Sequence, residues 1–143
     1  MGLNVDKYLT WEKHISSICQ KIAGKVNILK KIKHFLPFHV RKIFYNAYIL
    51  PHFDFCCSIW GGCNKVLLAK LRRLHKFAAY QVLCINSLHS YKNLIARLQW
   101  LTVDERIQYR KAISMYKIMN GLAPAYLRDL FVYCMWKILV MRP

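Results

Sequence analysis

The chain is short of negative charge. It holds 6 Asp+Glu against 23 Lys+Arg, for a formal net charge of +17, and no acidic residue stands between Glu12 and Asp54 or between Asp54 and Asp104. Two-metal phosphoryl transfer needs carboxylates gathered around Mg²⁺. Here Glu12 and the Asp104/Glu105 pair sit at expected helix starts, and only Asp54 is left without a local role. Cys-x-x-Cys pairs are also missing, so His52, Cys56, Cys57 and Cys63 do not read as a zinc site despite their closeness in sequence. Cys56 or Cys57 with His52 could form a thiol–imidazole pair, but nothing supplies a third group to orient the base. Gly61-Gly62 has neither the spacing of a phosphate loop nor a Lys-Ser/Thr after it. Catalysis within this chain is therefore not expected, nor is a resident metal or cofactor.

Long apolar runs are lacking as well. The greasiest stretch, Val132 to Val140, is short and interrupted by Lys137, well below the roughly 20 residues of a spanning helix. Met1 to Thr10 has no secretory-signal pattern. The six cysteines follow no disulfide-framework spacing. The expectation is an intracellular chain, in nucleus or cytoplasm, not secreted and without a transmembrane segment.

What is present argues for a folded, anion-seeking chain. With 56% apolar and 14% aromatic residues it is no disordered basic tail. A surface this positive self-repels and is best tolerated beside a polyanion. Gly2 to Asp6 alternates apolar and polar residues like the end of a β-strand, and nothing later in the chain could pair with it. That orphan suggests a Met1 internal to a longer frame. Thr10 is a candidate N-cap for a helix whose apolar stripe runs Trp11, Ile15, Ile18, Ile22, Val26, Leu29, Ile32 and Leu36, with Lys13 and Lys31 opposite. A second helical segment through Val40, Ile43, Phe44, Ala47 and Leu50 should stop at Pro51. His52 to Asn64 reads as an aromatic loop.

A third helix over about Lys65 to Leu83 is the most polarised. Its stripe is Leu67, Leu71, Leu74, Ala78 and Val82, while Lys65, Arg72, Arg73, Lys76 and Tyr80 gather on the far side. A short helical piece near Leu94 to Leu98 follows. Thr102-Val103-Asp104-Glu105 is a capping box opening a helix to about Asn120, along which Arg106, Arg110 and Lys117 form one line; Gly121 fits its C-cap. The fold class is thus all-α, a helical array or bundle with a short N-terminal strand remnant. Its parts are residues 1–8 as the strand remnant, 9–131 as the helical region and 132–143 as an atypical tail.

Amphipathic helices with one Lys/Arg face can bury the apolar side and offer the other to phosphates. Lys65, Arg72, Arg73 and Lys76 are the leading candidates, with Tyr80 able to stack on a base or sugar. Arg106, Arg110 and Lys117 form a second line, and Lys13 and Lys31 a third. A solvated charged face is the plain alternative. An anionic membrane surface is another reading of basic helices rich in aromatics, less favoured because several such helices in one chain pack on one another.

A family resemblance runs in the same direction. Leu3-Asn4-Val5-Asp6 followed by Leu9-Thr10-Trp11-Glu12-Lys13-His14-Ile15 resembles the segment beyond the palm of non-LTR (LINE-type, jockey-like) retrotransposon reverse transcriptases. In the same order come Leu36-Pro37, Tyr45-x-Ala47-x-Ile49-x-Pro51, Cys57-Ser58-Ile59-Trp60-Gly61, Leu71-Arg72-Arg73-Leu74, Leu98-x-Trp100-Leu101 and Gly121-Leu122-Ala123-Pro124-Ala125-Tyr126-Leu127. The resemblance covers roughly residues 2–131 and implies a thumb region that grips an RNA/DNA template–primer duplex beside a palm and fingers outside this chain. The family's Tyr-x-Asp-Asp site, which would use Mg²⁺, does not occur here, so polymerase activity is not carried over. Tyr80 stands where the family often has Arg, and His75 where it often has Gln. The tail after Phe131 departs from the family, as a frame shift, splice junction or decayed copy would make it. The competing readings are a stand-alone basic helical protein that binds anionic membrane or an acidic protein partner, and a transposon relic without function.

Overall fold

The apolar stripe of the first helix is the spine of the fold. In the computed structural model, which describes residues 2–85 and 90–130, α1 (Glu12–Ile32) buries Ile15, Ile18, Ile22, Val26 and Leu29 along one side. It packs against α5 (Lys65–Leu83), whose Leu67, Leu71, Ala78, Ala79 and Val82 face it and its neighbours. Between them in sequence lie α2 (Phe38–Phe44), a π turn (Tyr45–Ile49), α3 (Leu50–Asp54) and α4 (Cys57–Trp60). Then come α6 (Tyr91–Leu98), packed on α5, and α7 (Val103–Met119). The chain divides into two compact units, residues 1–107 and 108–143, with α7 running through the division. The all-α expectation holds, and the described residues contain no strand.

The expected strand at the N-terminus is therefore not formed among the described residues. Among the described residues no second strand lies alongside Leu3 to Asp6 to share its backbone hydrogen bonds. Instead Asp6 organises a turn. Its carboxylate accepts from the Tyr8, Thr10 and Trp11 amides at 3.0, 2.9 and 3.0 Å and from the Thr10 hydroxyl at 2.6 Å. Thr10 is thus spent on Asp6 and does not cap α1. The helix begins one residue later than a Thr10 cap requires, after Trp11 in the left-handed region at φ 63°.

Pro51 does not stop the second segment either. Proline lacks an N–H and its ring crowds the carbonyl four residues back. The chain widens to a π turn before it, with the Leu50 amide reaching the Tyr45 carbonyl five residues away, and α3 then carries Pro51 in its first turn. A proline that should end a helix has shifted its register instead. The expected aromatic loop is partly helical, and Trp60, fully buried, donates its indole N–H to the Phe55 carbonyl at 2.7 Å. Gly61 is needed there for space and not for its φ of −68°. A methyl group in its place would run into the Cys57 carbonyl and the Ile107 side chain.

One cation ties two helix ends together. Arg41 of α2 donates to the Lys33 and Leu36 carbonyls just past α1, at 3.0 and 2.8 Å, and to the Val82 carbonyl in the last turn of α5, at 2.8 Å. Helix C-termini leave carbonyls unpaired and carry partial negative charge, and a guanidinium satisfies both needs at once.

The remaining boundaries follow local chemistry. Asn64 caps α5 through its side chain, which accepts from the Val66 amide at 3.1 Å, and Cys84 closes the helix at φ 57°. The capping box forms: the Thr102 amide donates to Glu105 at 2.8 Å, and the Glu105 amide to the Thr102 hydroxyl at 3.2 Å. In the second unit Gly121 adopts φ 71° after α7. The Leu122 amide reaches the Lys117 carbonyl at 2.8 Å and the Gly121 amide that of Ile118 at 3.3 Å, a Schellman closure. The tail expected to be atypical, 132–143, lies outside the described residues.

Candidate nucleic-acid interface

The outward side of α5 begins with the residues singled out from the sequence. Lys65 and Arg73 are exposed, and Lys76 lies 5.7 Å from the ring centroid of Tyr80. Lys76 and Tyr80 are both half-buried, so the pair presents a cation and an aromatic ring together rather than two separate groups. On α1, Lys13 and Lys31 are exposed on the side away from the core, flanked by exposed Lys21 and Lys30. Lys25, which the sequence did not single out, sits 5.5 Å from the ring centroid of Tyr48.

Two arginines of the expected set are committed elsewhere. Arg72 reaches across to the start of α7 and grips Asp104 with two hydrogen bonds, of 2.7 and 2.5 Å. Hydrogen bonding to Arg72 holds the Asp104 carboxyl below its ordinary value, and the same pair raises Arg72. Both side chains stay more than a third exposed, so solvent weakens the pair. Arg106 donates to Asp54 at 3.1 Å, and both side chains are largely buried, at 14% and 16% exposure. Arg106 therefore supports the junction of α3 and α7 instead of facing solvent. Arg110 and Lys117 lie in the second unit, Lys117 exposed on its helix.

The scarce carboxylates thus have structural work. Asp6 builds the first turn, Asp54 and Asp104 hold arginines, and Glu105 closes the capping box. Hydrogen bonds keep Asp6 and Glu105 below their ordinary values, chiefly from the Thr10 side chain and the Thr102 amide respectively. Little negative charge is left to offset the exposed lysines.

Behind α5 lies a buried polar string that the sequence did not reveal. His75 is 1% exposed, with Nδ1 2.7 Å from the Tyr91 hydroxyl and Nε2 2.8 Å from the Tyr45 hydroxyl. Trp100 stacks on Tyr45 at 3.7 Å between centroids and on His75 at 5.6 Å, and the Val103 amide donates to Tyr91 at 3.2 Å. Burial first, and the nearby Arg106 charge second, push His75 down to about 3. Burial likewise raises Tyr45, and raises Tyr91 to about 12. All three are neutral at physiological pH. The string positions α6 and the start of α7 against α5, and so sets where Asp104 meets Arg72.

Beside that pair runs a groove of about 610 Å³, with Arg72, Tyr91, Lys92, Trp100, Asp104 and Glu105 along it. Its two carboxylates make it a poor seat for phosphate. Among the described residues no three His, Cys, Asp or Glu come together as a metal site, and no helix is long and apolar enough to cross a membrane. Compared with protein-family models, curated proteins and solved structures, the chain matches none of them.

Proposed function

We propose that this chain grips duplex nucleic acid through the outward faces of α5 and α1, as the thumb region of a non-LTR retrotransposon reverse transcriptase, with no catalysis of its own. The observation that carries the reading is the distribution of charge. Four of the six carboxylates (Asp6, Asp54, Asp104 and Glu105) are engaged in a turn, a cap and arginine pairs, whereas Lys13, Lys31, Lys65 and Arg73 are exposed on helices whose other sides are buried. Such a surface attracts phosphate by releasing counterions and reads no base sequence. Lys76 over Tyr80 adds a group able to stack on a sugar or an unpaired base. The ordered series of family-like motifs from Leu3 to Leu127 supports the particular assignment.

The test is a salt titration of duplex binding. Arg73→Glu with Lys76→Glu is the variant of choice, because reversing Arg72 would set a carboxylate against Asp104 and disturb the fold. Loss of two phosphate contacts should lower the slope of log K against log salt by about 2 and weaken binding for all sequences alike. An RNA–DNA hybrid and a duplex of unrelated sequence should respond equally. Unchanged binding in the double variant would refute the assigned face, and preferential binding to anionic vesicles would move the reading to a membrane surface.

A further inference from the structure

A second polar cavity lies in the first unit. Where α1 packs on α3, a cavity of about 150 Å³ is lined by His14, Ser17 and Lys21 of α1, by His52 of α3, and by Asn4 and Phe55. Residues 14, 17 and 21 follow one another at helical spacing, so α1 lays an imidazole, a hydroxyl and an ammonium in one column.

The two histidines have unmet hydrogen-bonding groups. His14 is 3% exposed, and its Nδ1 accepts from the Asn4 amide at 3.3 Å, which assigns the ring proton to Nε2. That Nε2–H is buried and meets no protein acceptor. His52 is 6% exposed, and its Nδ1 is likewise buried without a protein partner. Leaving the His14 donor unpaired is unfavourable and calls for a group that can accept, and a second unpartnered imidazole nitrogen at the same cavity adds to the case for a polar ligand there.

The field selects the sign of that ligand. Burial lowers both histidines, and the charges of Lys21, and of Lys25 for His52, lower them further. Among the described residues no carboxylate or thiol lines the cavity. Two imidazoles beside an ammonium make a poor cation site, since a metal needs more ligands and less positive charge. Donors from His14, Ser17 and Lys21 suit the oxygens of a tetrahedral anion.

We propose that this cavity seats one phosphoryl group, either free inorganic phosphate or a backbone phosphate of a bound nucleic acid. The proposal stands apart from the basic faces of α5 and can hold or fail without them.

The experiment is a titration of the full chain with inorganic phosphate, following the histidine side chains by long-range ¹H–¹⁵N correlation. Saturable shifts of His14 and His52 are expected, with a Kd on the order of 1 mM for so small a ligand. Ser17→Ala with Lys21→Met should weaken binding roughly tenfold or more, since each removes a hydrogen bond to a charged acceptor. Lys92→Met, on α6 and outside the cavity lining, should leave the shifts unchanged. Chloride at matched ionic strength should produce no saturable change. The proposal is overturned by absence of saturation at about ten times that concentration, by equal shifts with chloride, or by saturation with Zn²⁺ alone. A short duplex separates the two sources. If duplex moves the same resonances and phosphate competes, the seat takes a backbone phosphate. If only phosphate moves them, it takes the free ion. Persistence of the phosphate shifts in the Arg73→Glu/Lys76→Glu variant would show the cavity acting independently of the duplex-binding face.

Discussion

Replacing Arg41 with methionine should uncouple the ends of two helices at once. Methionine retains part of the aliphatic stem and removes only the fork that donates to Lys33, Leu36 and Val82. Hydrogen bonds from a charged donor contribute about 1.5–3 kcal/mol each when buried. Arg41 is half-buried, and water can partly replace it at the frayed ends, so the sum is discounted to about 2–4 kcal/mol for the three. For a chain of 143 residues that corresponds to a fall in Tm of roughly 7–13 °C. Urea denaturation followed by helical circular dichroism gives the free energy directly, and Arg41→Lys should recover only part of it because an ammonium lacks the fork. Hydrogen exchange adds a signature specific to the reasoning. Protection should drop both in the last turn of α1 and in the last turn of α5, although Lys33 and Val82 are far apart in sequence. A loss below about 1 kcal/mol, or a loss of protection confined to one helix end, would refute the claim that a single guanidinium closes both.

Two further outcomes follow from the core. His75 is neutral when folded, held at about 3 against an ordinary 6.5, so between those values the unfolded chain binds more protons. Stability should therefore be intact above pH 6.5 and fall as pH drops, by up to about 1.4 kcal/mol per pH unit for this one group. His14 and His52, also lowered by burial, act in the same direction. Urea midpoints measured between pH 6.5 and about 5.5, a unit above the ordinary 4.5 of Glu105, isolate the histidines. His75→Gln should show a shallower acid limb, and an unaltered slope would mean that His75 is not the group being protonated. Gly61→Ala should cost about 1–3 kcal/mol by overpacking against the Cys57 carbonyl and Ile107, read as a lowered urea midpoint at unchanged m-value. Wild-type stability in that variant would mean that the backbone there can shift freely.

Much of the fold could be read from local pattern. The bounds of α5 follow from its apolar stripe, and the capping box at Thr102 and the glycine closure at Gly121 form as their residues dictate. What escaped the sequence is tertiary. Arg72 lies on the polar side of its helix by angle, yet its long side chain reaches a carboxylate 32 residues later, and Arg106 meets Asp54 across 52 residues. Asp104 already had a local role as a first-turn acid, which hid its second one. Pro51 is a helix breaker by composition, but a preceding turn of wider pitch accommodates it. His75 differs from a surface histidine only in what surrounds it, and its two tyrosine partners lie 30 and 16 residues away.

The placement of the few acidic residues also bears on how this chain can change. Substitution of Asp6, Asp54, Asp104 or Glu105 removes a structural tie and an opposing charge in the same step, whereas loss of Asp129 alters charge alone at an exposed position. Drift toward greater basicity is therefore checked by folding at four positions, and drift toward neutrality is open wherever an exposed lysine can be exchanged. A copy of this sequence free of selection for its charge should lose lysines first and keep those four acids longest.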